Sequence, residues 1–293
     1  MTHISIITVC YNAADTIERT LQSVLQQTLT TVQHIIVDGA STDNTLQLVR
    51  QYEQQTEQAH NGHDIVVVSQ PDKGIYDAMN KGLAMAQGDY VCFLNAGDTL
   101  HDCGTLQRIA AAAEEQTGHQ QPAVIYGDTL ITDDNGAIIG KRHLQTPQSL
   151  DSRSFKQGMT VCHQAFYART DIAKDTPYDL QYRFSADVDW CIRILQKAEK
   201  MQAHNINMLQ VVAHYLEQGT TTRNHKASLK ERFRIMCKHY VLTTTVLQHA
   251  KFVLRAIKRK YNKPKQYSIN DDIIQRSKGI SKKTVNHTAR IYK

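Results

Sequence analysis

The chain has 293 residues, 41% of them apolar and 21% charged, and a formal net charge of +6. That length can bury a sizeable core, and the balance is ordinary for a soluble globular protein of one large domain, or one domain with an appendage. Six cysteines scattered without a C-x-x-C pair argue against a disulfide framework or a zinc site and point to free thiols in a reducing compartment.

The amino terminus enters a predicted strand at once, over residues 4–9, with no basic segment and long apolar run ahead of it. No stretch of about 18 apolar residues follows that could span a bilayer, so a cytoplasmic chain is expected. Residues 14–27 read as a helix with Ile17, Leu21, Val24 and Leu25 on one face. A second strand over 34–37 leads to a helix through Leu46, Leu48, Val49 and Tyr52 that Ser41 or Thr42 can cap. Strand, helix and strand recur over 65–69, 75–86 and 90–94, the alternation of a parallel sheet flanked by helices. Beyond residue 123 the texture changes: short strands are predicted over 124–126, 128–131 and 137–141, the last two joined by a turn at Asp133-Asp134-Asn135-Gly136. Residues 146–158 read as a mobile polar loop, 159–167 as strand and 187–197 as helix. A further helix begins near Ala227, breaks at Thr243-Thr244-Thr245 and resumes through Val253 and Ile257.

The residues that carry chemistry follow the predicted strands, where ligands of open parallel sheets bind. Thr8, Tyr11 and Asn12 stand after the first, where an aromatic ring and an amide can contact a base and ribose. Asp38 at the tip of the second can accept from a nucleobase or ribose hydroxyls; equally, Asp38, Ser41 and Asp43 can serve only to cap the next helix. The absence of G-x-G-x-x-G argues against a dinucleotide site. Lys73 beside Gly74 at a helix start can approach a phosphate, with Asn80 about two turns further in; a solvated surface lysine has the same signature. Phe93-Leu94-Asn95-Ala96-Gly97-Asp98 delivers a carboxylate to the sheet edge, and a hard cation bridging phosphate oxygens needs only one or two of these. A plain Gly-Asp turn is the alternative. Asp187 and Asp189 project differently from one helix. Asp187 suits a cleft, where it can take a proton from a sugar hydroxyl, and Asp189 suits a cap or a pair with Arg193 at i+4. Either can instead be only a capping acid.

In this order and spacing the five clusters resemble glycosyltransferase family two, over roughly residues 4–215. Residues 71–82, 93–98 and Cys162-His163-Gln164 are similar to bacterial enzymes that build colanic acid, capsule and O-antigen repeat units. The resemblance implies an α/β chain of GT-A fold: a Rossmann-like, mostly parallel sheet flanked by helices, with a C-terminal basic helical extension. It implies inverting transfer from a nucleotide-diphosphate sugar, UDP-linked in the first instance, to a hydroxyl of a lipid-linked or polysaccharide acceptor in bacterial surface polysaccharide synthesis. Thr8, Tyr11, Asn12, Asp38, Ser41, Lys73 and Asn80 would hold the donor, and Asp98 would ligate Mg²⁺ or Mn²⁺. Asp187 would be the base, with His163, Gln164 and Asp189 near the diphosphate or acceptor. Two positions depart from the family pattern: Asn95 stands where Asp-x-Asp has its first acid, and Ala186 replaces the Glu before the base.

The implied organisation is a catalytic domain over 1–222, with a nucleotide-sugar half over 1–100 and an acceptor half over 101–222. A basic amphipathic extension over 223–265 and a polar tail over 266–293 follow. The extension holds thirteen lysines and arginines against Glu231 alone, which leaves the rest of the chain net negative. Docking on anionic lipid at the inner face of the plasma membrane is the expectation there, ahead of a solvated or oligomer-packing face and of nucleic acid. Two other functions compete. A nucleotidyltransferase should carry a glycine-rich basic loop that residues 8–15 lack, and a non-catalytic nucleotide-sugar-binding subunit is compatible with Asn95 and Ala186.

Overall fold

The computed structural model describes residues 1–115, 121–217, 225–246 and 248, and these belong to one compact unit, Met1–Lys251. The resumed helix through Val253 and Ile257 and the polar tail lie outside the described residues. The first half alternates as expected: β1 (Ile4–Cys10), α1 (Ile17–Leu25), β2 (Val32–Asp38), α2 (Thr45–Ala59), β3 (Asp64–Ser69), α3 (Ile75–Met85) and β4 (Tyr90–Phe93). There follow β5 (Thr99–Leu100), α4 (Thr105–Glu114), β6 (Val124–Thr132), β7 (Ile138–Lys141), β8 (Phe166–Arg169), α5 (Thr170–Lys174), α6 (Ala186–Lys200), β9 (Asn205–Leu216) and α7 (His225–His239).

The described strands form one sheet in the order β3-β2-β1-β4-β8-β6-β9-β5, with β7 beside β6. Pairing is parallel from β3 to β4 and again between β6 and β9, and antiparallel where β8 joins β4 to β6. Every residue of β1, β2, β4 and β8 is buried, because helices cover both faces, and their near-continuous apolar runs follow from that. The chain leaves β1 toward β2 on one side and returns to β4 on the other, so the carboxyl ends of β1 and β4 flank a switch point.

Several boundaries differ from the sequence expectation. The two strands expected within 124–131 are one strand, β6, whose pairing with β9 shifts register near Tyr126–Asp128 and so breaks the alternation. Residues 146–158 are no mobile loop. Leu150 and Phe155 are buried, residues 152–157 form a 3-10 helix begun by a capping box from Asp151, and Ser152 donates through N and Oγ to Glu199 at 2.7 and 3.1 Å. Neither Ser41 nor Thr42 caps α2: the residue before it is Asn44, whose side chain makes no cap hydrogen bond, and Asp43 Oδ1 accepts from Thr45 N at 3.0 Å. α7 docks on α6, with Ile235 and Met236 buried, and lies in the same compact unit as the strands.

Candidate active site

The loop after β4 is the best-anchored part of the carboxyl edge. Thr20 on α1 accepts from Gly97 N and donates to Asp98 O, both at 2.8 Å. Gly97 has φ of +100°, a backbone conformation that favours glycine. Asp98 is only 4% exposed: its Oδ2 accepts from Gln164 Nε2 at 2.7 Å and its Oδ1 from Leu216 N at 3.0 Å. Burial pushes its pKa up to about 6, against those two hydrogen bonds.

Asp98 is also the residue expected to ligate a metal. Both carboxylate oxygens of Asp98 serve amide donors, and the neighbouring Asn95 Oδ1, buried without a partner, is a neutral oxygen. No group of three or more His, Cys, Asp or Glu side chains among the described residues is arranged to hold a metal. Gln164 is 1% exposed and donates to Asp98. Asp98→Ala should cost about 2–3 kcal/mol in urea denaturation, because two buried donors lose their acceptor. Asp98→Asn should cost less than about 1 kcal/mol, since Oδ1 still serves Leu216 and a turned Gln164 amide can accept from the new Nδ2. Equal losses in the two variants would show that hydrogen bonding is not what Asp98 supplies.

Asp187, the second residue of α6, reaches the same edge and is 18% exposed. Tyr76 on α3 donates its hydroxyl to Oδ1 at 3.3 Å, Val188 N donates to Oδ1 at 3.0 Å, and His163 Nδ1 lies 3.5 Å from Oδ2. On its other side His163 Nε2 meets Asn95 Nδ2 at 3.1 Å, which leaves Nδ1 facing Asp187. Burial acts to raise the Asp187 pKa, but the hydrogen bond and charge of His163 and the charge of Arg232 outweigh it and hold it below the ordinary carboxylate value. Burial and the Asp187 charge raise the Tyr76 phenol well above 10, so Tyr76 acts as a donor. Behind the site Tyr76 stacks on Tyr178 and Tyr178 on Trp190, with centroids 5.3 and 5.0 Å apart.

The residues expected around the donor divide into two groups. Tyr11 is 63% exposed beside Gly39, where a Cβ would lie 2.6 Å from Asp72 Oδ2 and 3.3 Å from the Tyr11 ring, and Lys73 is exposed at the head of α3. These two present open groups at the loops after β1 and β3. The others hydrogen-bond to neighbouring protein groups: Thr8 and Asp38 are buried, Ser41 and Asn80 half-buried, and Asn12 exposed. Thr8 is fully buried, bonding His34 Nε2 and Leu94 O, each at 2.9 Å. Asp38 is also fully buried, because the strand register sets it beside Ser69, whose hydroxyl it accepts at 2.6 Å together with Ser41 N at 3.0 Å and the Ser41 hydroxyl. Ser41 Oγ and Asn12 Oδ1 fasten the loops after β1 and β2, accepting from Asn12 N at 2.8 Å and Thr42 N at 2.9 Å. Asn80 closes two hydrogen bonds on the Tyr178 backbone, at 2.9 and 2.8 Å.

Asp189 lies at the centre of a charged cluster between α6 and α7. It is fully buried, with Arg193 Nε at 2.5 Å, His239 Nε2 at 2.7 Å and Lys238 Nζ at 3.4 Å. Sequence reasoning gave no role to Tyr76 or Arg232. A phenol at the spacing Tyr76, Met79, Leu83, on the buried face of α3, was a usable signal, since a buried hydroxyl needs a partner. A hollow of about 480 Å³ opens at the opposite, amino-terminal ends of the strands, by His3, Gln33 and Asp89; none of the expected residues lines it.

The family model described as Glycosyl transferase family 2 matches residues 5–175. A PGL/p-HBAD biosynthesis glycosyltransferase of Mycobacterium tuberculosis is 34% identical over 216 residues, which cover 73% of this chain and 77% of that one. The putative teichuronic acid biosynthesis glycosyltransferase TuaG of Bacillus subtilis is 44% identical over 95 residues, 32% of this chain and 36% of that one. Among solved structures, S. aureus TarS in complex with UDP-GlcNAc superposes with a TM-score of 0.62 at 18% identity. The superposition covers 80% of this chain and 64% of the TarS chain, so this chain spans less than two thirds of that one.

Proposed function

The chain belongs to glycosyl transferase family 2, and on that premise we propose that it is an inverting transferase moving a sugar from a nucleoside-diphosphate donor to an acceptor hydroxyl in surface-glycan synthesis. The observation that carries the reading is Asp187: an ionised, partly exposed carboxylate at the start of α6, steadied by Tyr76 and His163 at the carboxyl edge of the sheet. Asp187 takes the proton of the acceptor hydroxyl. The acceptor oxygen then bonds to the anomeric carbon from the face opposite the leaving group, and the carbon–oxygen bond to the diphosphate breaks, its electron pair departing with the nucleotide. An α-linked donor gives a β-linked product. Tyr76 and His163 fix the direction of the base, and Asn95 fixes His163. Tyr11 offers a face for the nucleobase, and Lys73 lies where the diphosphate oxygens would come.

A UDP-linked donor is supported by the UDP-GlcNAc bound to TarS, and a glycan acceptor by the teichuronic acid role given to TuaG. Incubation with UDP-, GDP- and dTDP-sugars should release free nucleoside diphosphate from one class, with a matching rise in Tm. Binding without release from any donor would favour a non-catalytic nucleotide-sugar-binding subunit. For the acceptor side, the basic surplus of residues 223–265 and the exposed Val241, Leu242 and Val246 favour attachment to an anionic lipid surface. No helix among the described residues is long and apolar enough to cross a membrane. Vesicles with anionic lipid should carry the chain up a flotation gradient and neutral vesicles should not; equal flotation with both would remove the charge argument.

A further inference from the structure

Ser185 immediately precedes α6, yet its side chain does not cap that helix and meets Ser228 Oγ of α7 at 2.9 Å instead. The amides leading into α6, from Arg183, Phe184 and Ser185, all donate to the carboxylate of Glu231 on α7, at 2.9, 2.8 and 3.1 Å. Glu231 lies 46 to 48 residues further along the chain, so the start of one helix is capped by another. Charge-assisted hydrogen bonds of this kind are the stronger sort, and an anion at a helix amino end is favoured by the helix dipole. Glu231 is also the lone acid of the basic segment, placed where a cation would repel those same amides.

The clamp acts on the turn that aims the base. Asp187 follows Ser185 by two residues, so the backbone angles of this turn decide where its carboxylate points. Further along the same helices, Asp189 of α6 is tied to Lys238 and His239 of α7. Beside Glu231, Arg232 exerts its positive charge on both Asp187 and Tyr76, its Nε buried without a hydrogen-bond partner. The segment carrying the base is thus gripped by α7 at both ends.

We propose that Glu231 is a positioning residue for the transfer: by clamping the 183–185 turn it fixes the first turn of α6 and the direction of the Asp187 carboxylate. Glu231 touches no substrate and acts through Asp187. The proposal rests on the transferase reading and adds that α7, the beginning of the basic segment, is part of the catalytic apparatus.

The test compares wild type, Glu231→Gln and Glu231→Ala in the full chain, by donor turnover per folded molecule across pH and by hydrogen exchange of amides 183–185. Glu231→Ala should lose about a hundredfold in kcat, the scale of a small misplacement of a catalytic group, and Glu231→Gln about tenfold, because one acceptor oxygen remains. The donor KM should stay within about twofold in both, since the donor-side loops are untouched. The acid limb of kcat/KM should move to higher pH as Asp187 drifts from His163 and Arg232, and exchange at 183–185 should quicken about tenfold. Should Glu231→Ala fail to fold, Glu231→Gln alone carries the comparison. A wild-type kcat and an unmoved acid limb in folded variants would overturn the positioning role and leave the transferase reading standing. No turnover by wild type with any donor would overturn both.

Discussion

Asp187→Asn is expected to slow sugar transfer by about a thousandfold and to leave the nucleotide-sugar Kd within about twofold of wild type. The amide has nearly the shape of the carboxylate, and its Oδ1 still accepts from Tyr76 and Val188 N, so α6 and the cleft should keep their form. What disappears is the capacity to accept a proton at the moment the acceptor oxygen bonds to carbon. In wild type the depressed Asp187 pKa keeps the base ionised to unusually low pH. The base form exists above that pKa, so kcat/KM should hold level through the ordinary carboxylate range and fall only at lower pH. Single-turnover rates, isothermal titration of the donor and a pH profile read these three quantities. Near-normal turnover in the Asn variant would show that another group removes the proton.

Asp189→Ala is expected to cost about 3–5 kcal/mol of stability, the range for stripping one member from a buried ionic cluster. Arg193, Lys238 and His239 converge on a carboxylate with no exposed surface, and alanine leaves their charge and hydrogen bonds without a centre. Burial alone would raise the Asp189 pKa; the hydrogen bond from His239 and the charge of Arg193 bring it down to about 2 instead. A depressed carboxylate stabilises the fold above its unfolded value of 3.8, and that contribution is lost as pH falls through 2. The gap between wild type and Asp189→Ala in urea denaturation should therefore narrow between pH 4 and pH 2. Asp98 has the opposite sign: its pKa is raised to about 6, so its contribution is fully present below 3.8 and lost as pH rises through 6. A gap independent of pH would mean that the Asp189 cluster is not ionic.

The first half of the fold was legible because a parallel sheet buried on both faces writes itself as apolar runs, and α1 as the spacing of Ile17, Leu21 and Val24. The longest strand, β9, was not. Asn205-Ile206-Asn207-Met208 alternates in the usual way, but register shifts against β6 and Leu209 at φ +53° break the pattern. At the candidate site, sequence order gave the strand ends and loops that carry these residues, without the direction of each side chain. Thr8, Asp38, Asn80 and Asp98 lie in the expected places and point into the protein, where Leu94, Ser69, Tyr178 and Gln164 meet them. Their partners come from distant segments, and no local pattern encodes such pairings. Glu231 was visible only as an exception, one acid among thirteen bases.

The hydrogen bond between Asp98 and Leu216, across 118 residues, also sets an order of events during synthesis. The β3-β2-β1-β4 half can pair as soon as residue 93 has left the ribosome, and Thr20 can then hold the loop that follows β4, but Asp98 Oδ1 lacks its donor until residue 216 is made. At 5–20 residues per second that delay is about 6–25 seconds. Until β8 is made, a shorter part of that interval, a nascent chain holds a formed half-sheet with an open edge at β4. Ribosome-bound chains arrested before residue 166 should therefore be the most prone to associate, and those extended past residue 216 the least.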